Sequence, residues 1–304
     1  MITVMNYVPK QLALIGPTAS GKTALSIELA QRLNAYILSL DSLSIYKEID
    51  IVSAKPTVEE RADIPHYGID YLYANENFDV TVFIKLYQEV YSRVQAEKKN
   101  LVIVGGTSFY LKMLVDGISQ LPSLHLSTIE KTHHDLKNLQ KSYQMLYTVD
   151  PDYMVQISPS DRYRIEKALN IYYETGMIPT RYFKQNRPLS AIRGDLPIYR
   201  IDMDKEKLRE RIAQRTKLML KDGLIDEICM LEHKYTRIPH CMKAIGIKET
   251  LGYLDGIYDK KMLEEKITTN TARLAKRQTT FNHSQFKNVV SGSVETLKKI
   301  LLQS

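Results

Sequence analysis

Apolar positions recur at two periods along this chain, and the switches between them outline its elements. Leu12-Ala13-Leu14-Ile15 is an apolar run of strand length, after which Leu25, Leu29, Ala30 and Leu33 recur at helical spacing. Ala35 to Leu40 predicts a second strand that delivers Asp41 and Ser42 at its carboxyl end. Residues 53–79 predict loop with short elements, punctuated by Lys55-Pro56 and Pro65-His66, and Asp79 then caps a helix running to about Lys98. Leu101 to Val104 predicts a third strand, ended by Gly105-Gly106-Thr107. Strands alternating with helices predict an α/β fold, a doubly wound and mainly parallel sheet with helices on both faces.

From about Leu121 to Phe183 the strand pattern disappears and helical spacing takes over, which reads as an insertion. Within it Ser160-Asp161 starts a helix that Gly176 ends, with Arg162, Arg164 and Lys167 near its start. Pro197 to Ile201 predicts a return strand. The expected division is therefore a catalytic core of residues 1–121 plus 186–304 and an inserted helical domain of residues 122–185. Beyond the return strand, Arg211 and Arg215 share a helix face, and Arg273, Lys276, Arg277 and Thr280 share another.

Length and composition change this picture little. The 304 residues are 44% hydrophobic and 25% charged, ordinary for a soluble protein, and no apolar run is long enough to span a bilayer. Residues 1–10 lack the features of a secretory signal, so the expected location is the cytoplasm and no membrane partner is expected. The two cysteines, Cys229 and Cys241, are expected as free thiols. Together with His233 and His240 they match no common zinc spacing.

Charge is more informative. Residues 1–121 carry 11 basic and 13 acidic side chains, so the whole net charge of +7 arises later in the chain. A basic excess confined to one part suits a polyanionic partner such as nucleic acid, and it also suits simple solubility.

The chemistry begins at Gly16-Pro17-Thr18-Ala19-Ser20-Gly21-Lys22-Thr23, set between the first strand and its helix. Gly16 and Gly21 let the backbone turn its N–H groups inward, and the positive end of the helix favours an anion. Lys22 would bridge phosphate oxygens, and Thr23 offers a hydroxyl for a magnesium ion. Such a P-loop, in an NTPase-like sheet, recognises phosphate and not what the phosphate carries. Asp41 could then be a magnesium-binding carboxylate or a general base. The chain has no Asn-Lys-x-Asp element for guanine, and the strand at residues 101–104 carries no acidic pair of a translocating ATPase. A kinase of a nucleotide or small metabolite remains the alternative.

Several segments spread over nearly the whole chain decide further. They are Gly16 to Leu25; Asp41-Ser42 with Ile45-Tyr46-Lys47; Ala54-Lys55-Pro56; Pro65-His66; Val104 to Thr107 with Tyr110; Arg164 to Leu169; Ile245-Gly246; and Ala275-Lys276-Arg277-Gln278. In these the chain resembles the tRNA dimethylallyltransferases, also called tRNA isopentenyltransferases or the IPP transferase family.

The resemblance implies that Gly16 to Thr23 cradle the diphosphate of dimethylallyl diphosphate with magnesium, and that ATP is not consumed. It implies Asp41 as general base for an adenine amine beside the anticodon. Arg215 joins Lys22 in neutralising the leaving diphosphate, and Thr107 stands near the target nucleotide. Contacts to the tRNA anticodon stem-loop are implied for Asp41, Ser42, Leu43 and Ser44; for Thr107; for Tyr163, Arg164, Ile165, Glu166 and Lys167; for Lys243 and Lys248; and for Lys276, Arg277 and Gln278. A monomer is expected. The chain departs from the family pattern at Ala272, where arginine is common, and at Phe281-Asn282-His283, which replaces a tryptophan-containing ending. Lys167 and Lys248 stand where arginine also occurs, and lysine lacks its bidentate fork.

Overall fold

A computed structural model describes residues 7–303. Its sheet has six strands, β1 (Gln11–Ile15), β2 (Ala35–Leu40), β3 (His66–Tyr67), β4 (Asn100–Gly105), β5 (Ile198–Ile201) and β6 (Val290–Gly292). They lie in the order β3-β2-β4-β1-β5-β6, and every pairing is parallel. The connecting helices are α1 (Lys22–Arg32), α2 (Val80–Ala96) and α3 (Ser108–Asp116).

The sequence dictates most of this locally. β1 is buried along its whole length and sits between β4 and β5, as a continuous apolar run requires in a parallel sheet. Asp79 caps α2 by accepting from the Thr81 and Val82 N–H groups at 2.8 and 3.1 Å. Leu12, Leu14, Leu25, Leu29, Ile37 and Val102 form one core layer with Ile201, Leu297 and Leu301. Each fully buried leucine or isoleucine there contributes about 1.5–3 kcal/mol. β6 has no counterpart in the sequence expectation, because its three residues are short, partly exposed and on the sheet edge.

Gly105 shows why that position tolerates no side chain. A Cβ there would stand 2.1 Å from the Leu40 carbonyl oxygen of the neighbouring strand. Gly105→Ala is therefore expected to lower stability by well over the ~1 kcal/mol typical of point substitutions, read as a fall in the thermal unfolding midpoint; an unchanged midpoint would contradict the packing described.

Contacts divide the chain into two compact units, Met1–Leu114 with Ile192–Ser304, and Val115–Ala191. The boundaries fall outside those expected at 121/122 and 185/186, because the flanking chain already belongs to the second unit. Ile118 bridges Leu189 in antiparallel fashion, and the Tyr182 hydroxyl donates to the Gln120 carbonyl at 2.9 Å.

The second unit is helical: α4 (Leu126–Asp135), α5 (Leu139–Val149), α6 (Pro151–Met154), α7 (Arg162–Thr175) and α8 (Pro179–Gln185). Its own core gathers Leu136, Leu146, Met154, Ile157, Ile165, Ala168 and Leu169. Asp161 caps α7, and Gly176 ends it at φ 67°.

The first unit continues through α9 (Lys205–Lys221), α10 (Leu224–Tyr235), α11 (Ile247–Leu254), α12 (Lys260–Gln285) and α13 (Val294–Gln303). Leu208 and Ile212 of α9 pack on Ala275 of α12, with Ala19 of the P-loop against them. Among the described residues no helix is long and apolar enough to cross a membrane.

Candidate active site

The carboxyl ends of β1, β2 and β4 converge on one cavity, the place where open parallel sheets hold ligands. The loop after β1 turns through Ala19 at φ 63° and Gly21 at φ 90°, and α1 begins at Lys22. Lys22 Nζ donates to the Pro17 carbonyl at 2.6 Å. Desolvation lowers the Lys22 pKa to about 7, against the pull of the Asp41 carboxylate and with Arg215 adding repulsion. Thr23 is exposed at the rim and lines the same cavity.

Asp41 follows β2 and folds back on its own chain. Its Oδ1 accepts from Leu43 N at 2.8 Å and Ser44 N at 3.1 Å, which leaves Oδ2 without a partner among the described residues. One oxygen fixes the carboxylate while the other stays available to a ligand.

Arg215 reaches in from α9, donating to Thr18 Oγ1 at 3.1 Å and to the Ser53 carbonyl at 3.4 Å. Burial lowers its pKa and Asp41 opposes the shift; the guanidinium stays charged. Arg211, on the same face, donates to the Ala19 carbonyl at 3.4 Å.

The loop is also held from α12. Gln278 Oε1 accepts from Thr18 N at 2.8 Å, while its Nε2 donates to the Gly106 carbonyl at 3.0 Å. One carboxamide thus clamps the P-loop to the turn after β4, a role the sequence did not suggest.

A second clamp is Glu227 of α10, whose carboxylate accepts from the N–H groups of Asp50, Ile51 and Val52 at 2.8, 2.6 and 3.0 Å. It fixes the segment that carries Ser53 to Pro56 along the cavity wall. No sequence signal announces a contact across more than 170 residues.

Two cavities adjoin here. The first, about 400 Å³, is lined by Thr18 to Thr23, Asp41, Lys55, His66 and Arg211 among others. The second, about 490 Å³, holds Ser42, Leu43, Thr107, Lys243 and Arg277 together with apolar Ile212, Ile245, Ile267, Leu274, Phe109 and Phe281. Thr18, Asp41, Ser53, Gly106, Arg215 and Gln278 line both. Both volumes lie in the ~300–1,000 Å³ range of small-molecule sites.

Two side chains of the second cavity have unmet bonding capacity. Asn282 is fully buried with neither amide atom partnered among the described residues, and Ser108, 3% exposed, has a hydroxyl without a partner among them. Each such group costs about 1–3 kcal/mol if left dry.

Beside the second cavity, with which it shares Arg277, an open groove of about 790 Å³ is bordered by Lys248, Arg273, Lys276 and Thr280. The face predicted along α12 is therefore real. Ser44 is 4% exposed and lies on the first cavity only, away from the second cavity that gathers Ser42, Leu43 and Thr107.

In the helical unit, Tyr163 and Arg164 are exposed on the first turn of α7, with Lys167 Nζ 5.3 Å from the Tyr163 ring centre. Ile165 corrects the expectation: it is fully buried in that unit's core, so its side chain packs helices and cannot reach RNA. Cys229 is exposed on α10, whereas Cys241 is buried with its thiol against the Ala74 carbonyl.

The fold and this site define a P-loop protein whose phosphate loop faces a carboxylate across one cavity and opens into a second, more apolar one. Residues 44–285 match the family model described as IPP transferase, and the chain belongs to that family. It is 68% identical over 299 residues to the tRNA dimethylallyltransferase of Sulfurovum sp., covering 98% of this chain and 99% of that protein. The tRNA dimethylallyltransferase of Sulfurimonas denitrificans is 52% identical, over 97% and 99% of the two chains.

Solved structures agree. A eukaryotic dimethylallyltransferase acting on tRNA aligns with a TM-score of 0.83 at 25% identity, over 97% of this chain and 77% of that one. The full-length tRNA isopentenylpyrophosphate transferase from Bacillus halodurans aligns with a TM-score of 0.70 at 28% identity, over 97% and 96%.

Proposed function

We propose that the protein transfers a dimethylallyl group from dimethylallyl diphosphate to the exocyclic amine of the adenine adjacent to the anticodon in tRNA, releasing diphosphate. One observation carries the reading: the phosphate cradle and the more apolar chamber share a wall that contains both Asp41 and Arg215. A diphosphate in the first cavity and a base in the second would meet at that wall. The names of the relatives favour this transfer over the kinase alternative.

In the reaction a bond forms between the adenine N6 and the allylic carbon while the bond from that carbon to the diphosphate oxygen breaks. The amine is a poor nucleophile because its lone pair is delocalised into the ring. Asp41 Oδ2 takes the N6 proton as the new bond develops. Lys22 and Arg215, with the N–H groups of the loop, receive the charge growing on the departing diphosphate.

The Thr23 hydroxyl, exposed on the cavity and without a protein partner among the described residues, fits a magnesium ligand. Among those residues no group of three or more His, Cys, Asp or Glu side chains could hold a metal unaided, so the ion would take phosphate oxygens and water as its other ligands. When bound, it supplies positive charge to the diphosphate oxygens. The basic groove along α12 and the exposed start of α7 would hold RNA phosphates and loop bases.

The test is transfer of a labelled dimethylallyl group to an anticodon stem-loop bearing the target adenine, with folded protein and magnesium. Labelled RNA is expected, and no transfer would refute the proposal.

A further outcome follows from Lys22. With a pKa of about 7, its amine is charged below neutrality and increasingly neutral above it. Binding of inorganic diphosphate is then expected to weaken as pH rises from 7 to 9, by at most about tenfold per unit, with proton uptake by the protein. Calorimetry in buffers of different ionisation enthalpy reads this. Comparison with Lys22→Arg, which cannot lose its proton, removes the titration of diphosphate itself; identical profiles would contradict the assignment.

A further inference from the structure

The second cavity contains bonding capacity that the reaction above does not use. Asn282 stands one helical turn beyond Gln278 on α12, with 0% exposure and neither its Oδ1 nor its Nδ2 partnered among the described residues. It lines this chamber and also a smaller cavity of about 220 Å³ bordered by Pro17, Arg200, Asp202 and His283. Ser108, at the first turn of α3, lines the chamber, and its Oγ likewise has no partner among the described residues. Buried polar groups without partners are rare, and each calls for a ligand or an ordered water.

The surroundings indicate which ligand. Phe109 and Phe281 line the same chamber with ring centres 6.5 Å apart, one edge directed at the other. Flat aromatic surfaces beside a carboxamide are the equipment for holding a purine, which stacks on the rings and bonds along its edge. A carboxamide offers one acceptor and one donor side by side. Adenine displays the complement on either side of its amine, N6–H next to N1 or N6–H next to N7.

We infer that Asn282, assisted by Ser108, reads the acceptor adenine inside this chamber. Oδ1 accepts the amine hydrogen that Asp41 does not remove, and Nδ2 donates to the neighbouring ring nitrogen. Asn282 thereby holds the base with its amine presented to the shared wall. The inference rests on the proposed transfer reaction and adds the contact that orients its acceptor.

The test couples the side chain to the base. Transfer is measured for wild type and Asn282→Leu with stem-loops carrying adenine, 1-deazaadenine or 7-deazaadenine at the acceptor position. Leucine keeps the volume and removes both polar atoms, so the unfolding midpoint is expected to stay level or rise. With adenine, kcat/KM is expected to fall about tenfold. One deaza substrate is expected to cost wild type a similar factor and to cost Asn282→Leu little more.

Losses that multiply independently, or a leucine variant as active as wild type, would overturn the inference and assign the amide to a buried water. Should Asn282→Leu fail to fold, Ser108→Ala takes its place, with about a threefold loss expected on adenine and the same loss of coupling; full activity in that variant would overturn the inference equally. Absence of transfer by wild type to the adenine stem-loop would instead remove the underlying reaction.

Discussion

Asp41→Asn is expected to lower the single-turnover rate of transfer by about 10²–10⁴-fold, the range for loss of a positioned general base, while stem-loop affinity stays within about twofold. The two effects separate because the substitution preserves the turn. An asparagine carbonyl still accepts from Leu43 N and Ser44 N, as Oδ1 does now. The remaining atom becomes an NH₂ group, which cannot receive a proton. The variant also removes the negative charge that supports protonation of Lys22, so that amine titrates lower still and donor binding weakens. Rapid-quench kinetics and filter binding separate the two outcomes. Turnover within tenfold of wild type would remove Asp41 from its role.

Arg215→Ala is expected to cost about 10²–10³-fold in kcat, the usual loss when one donor to a developing anion is removed. The geometry adds a second expectation. The guanidinium spans Thr18 Oγ1 and the Ser53 carbonyl at once, so it joins the phosphate loop to the segment fixed by Glu227. A lysine ammonium is a compact point charge and lacks that planar span. Arg215→Lys is therefore expected to recover only part of the loss. Loss of Arg215 also removes a repulsion on Lys22, whose pKa then rises, and the pH dependence of diphosphate binding shifts upward with it. Steady-state kinetics with dimethylallyl diphosphate check the first point; full activity in Arg215→Lys would show that charge alone suffices.

Local patterns carried much of the fold, and long-range contacts carried what the sequence left hidden. The apolar run of β1, the Asp79 cap and the Gly176 stop are each decided within a few residues, so the sequence announces them. β6 is paired along one edge and half exposed, which leaves no periodicity to find. The turn of Gly16 to Thr23 was legible because backbone, glycine and helix end act together over eight residues, and the place of Asp41 was legible because β2 ends just before it. The clamps were not. Gln278 reads in sequence as a motif position with an implied tRNA contact, and only the fold shows it bonded to Thr18 and Gly106. Glu227 resembles any acid on an amphipathic helix until its three N–H partners are seen. Ile165 shows the converse, where a motif position serves packing.

The Gln278 clamp has a consequence for biosynthesis. Thr18 and Gln278 are 260 residues apart, and β5, which flanks β1, also lies beyond the helical unit. At ~5–20 residues per second on the ribosome, the phosphate loop emerges roughly 13–52 s before the side chain that holds it. A nascent chain therefore carries its P-loop motif through most of its synthesis without the side chain that bonds Thr18 to Gly106, and that bond forms only as the last helices leave the tunnel.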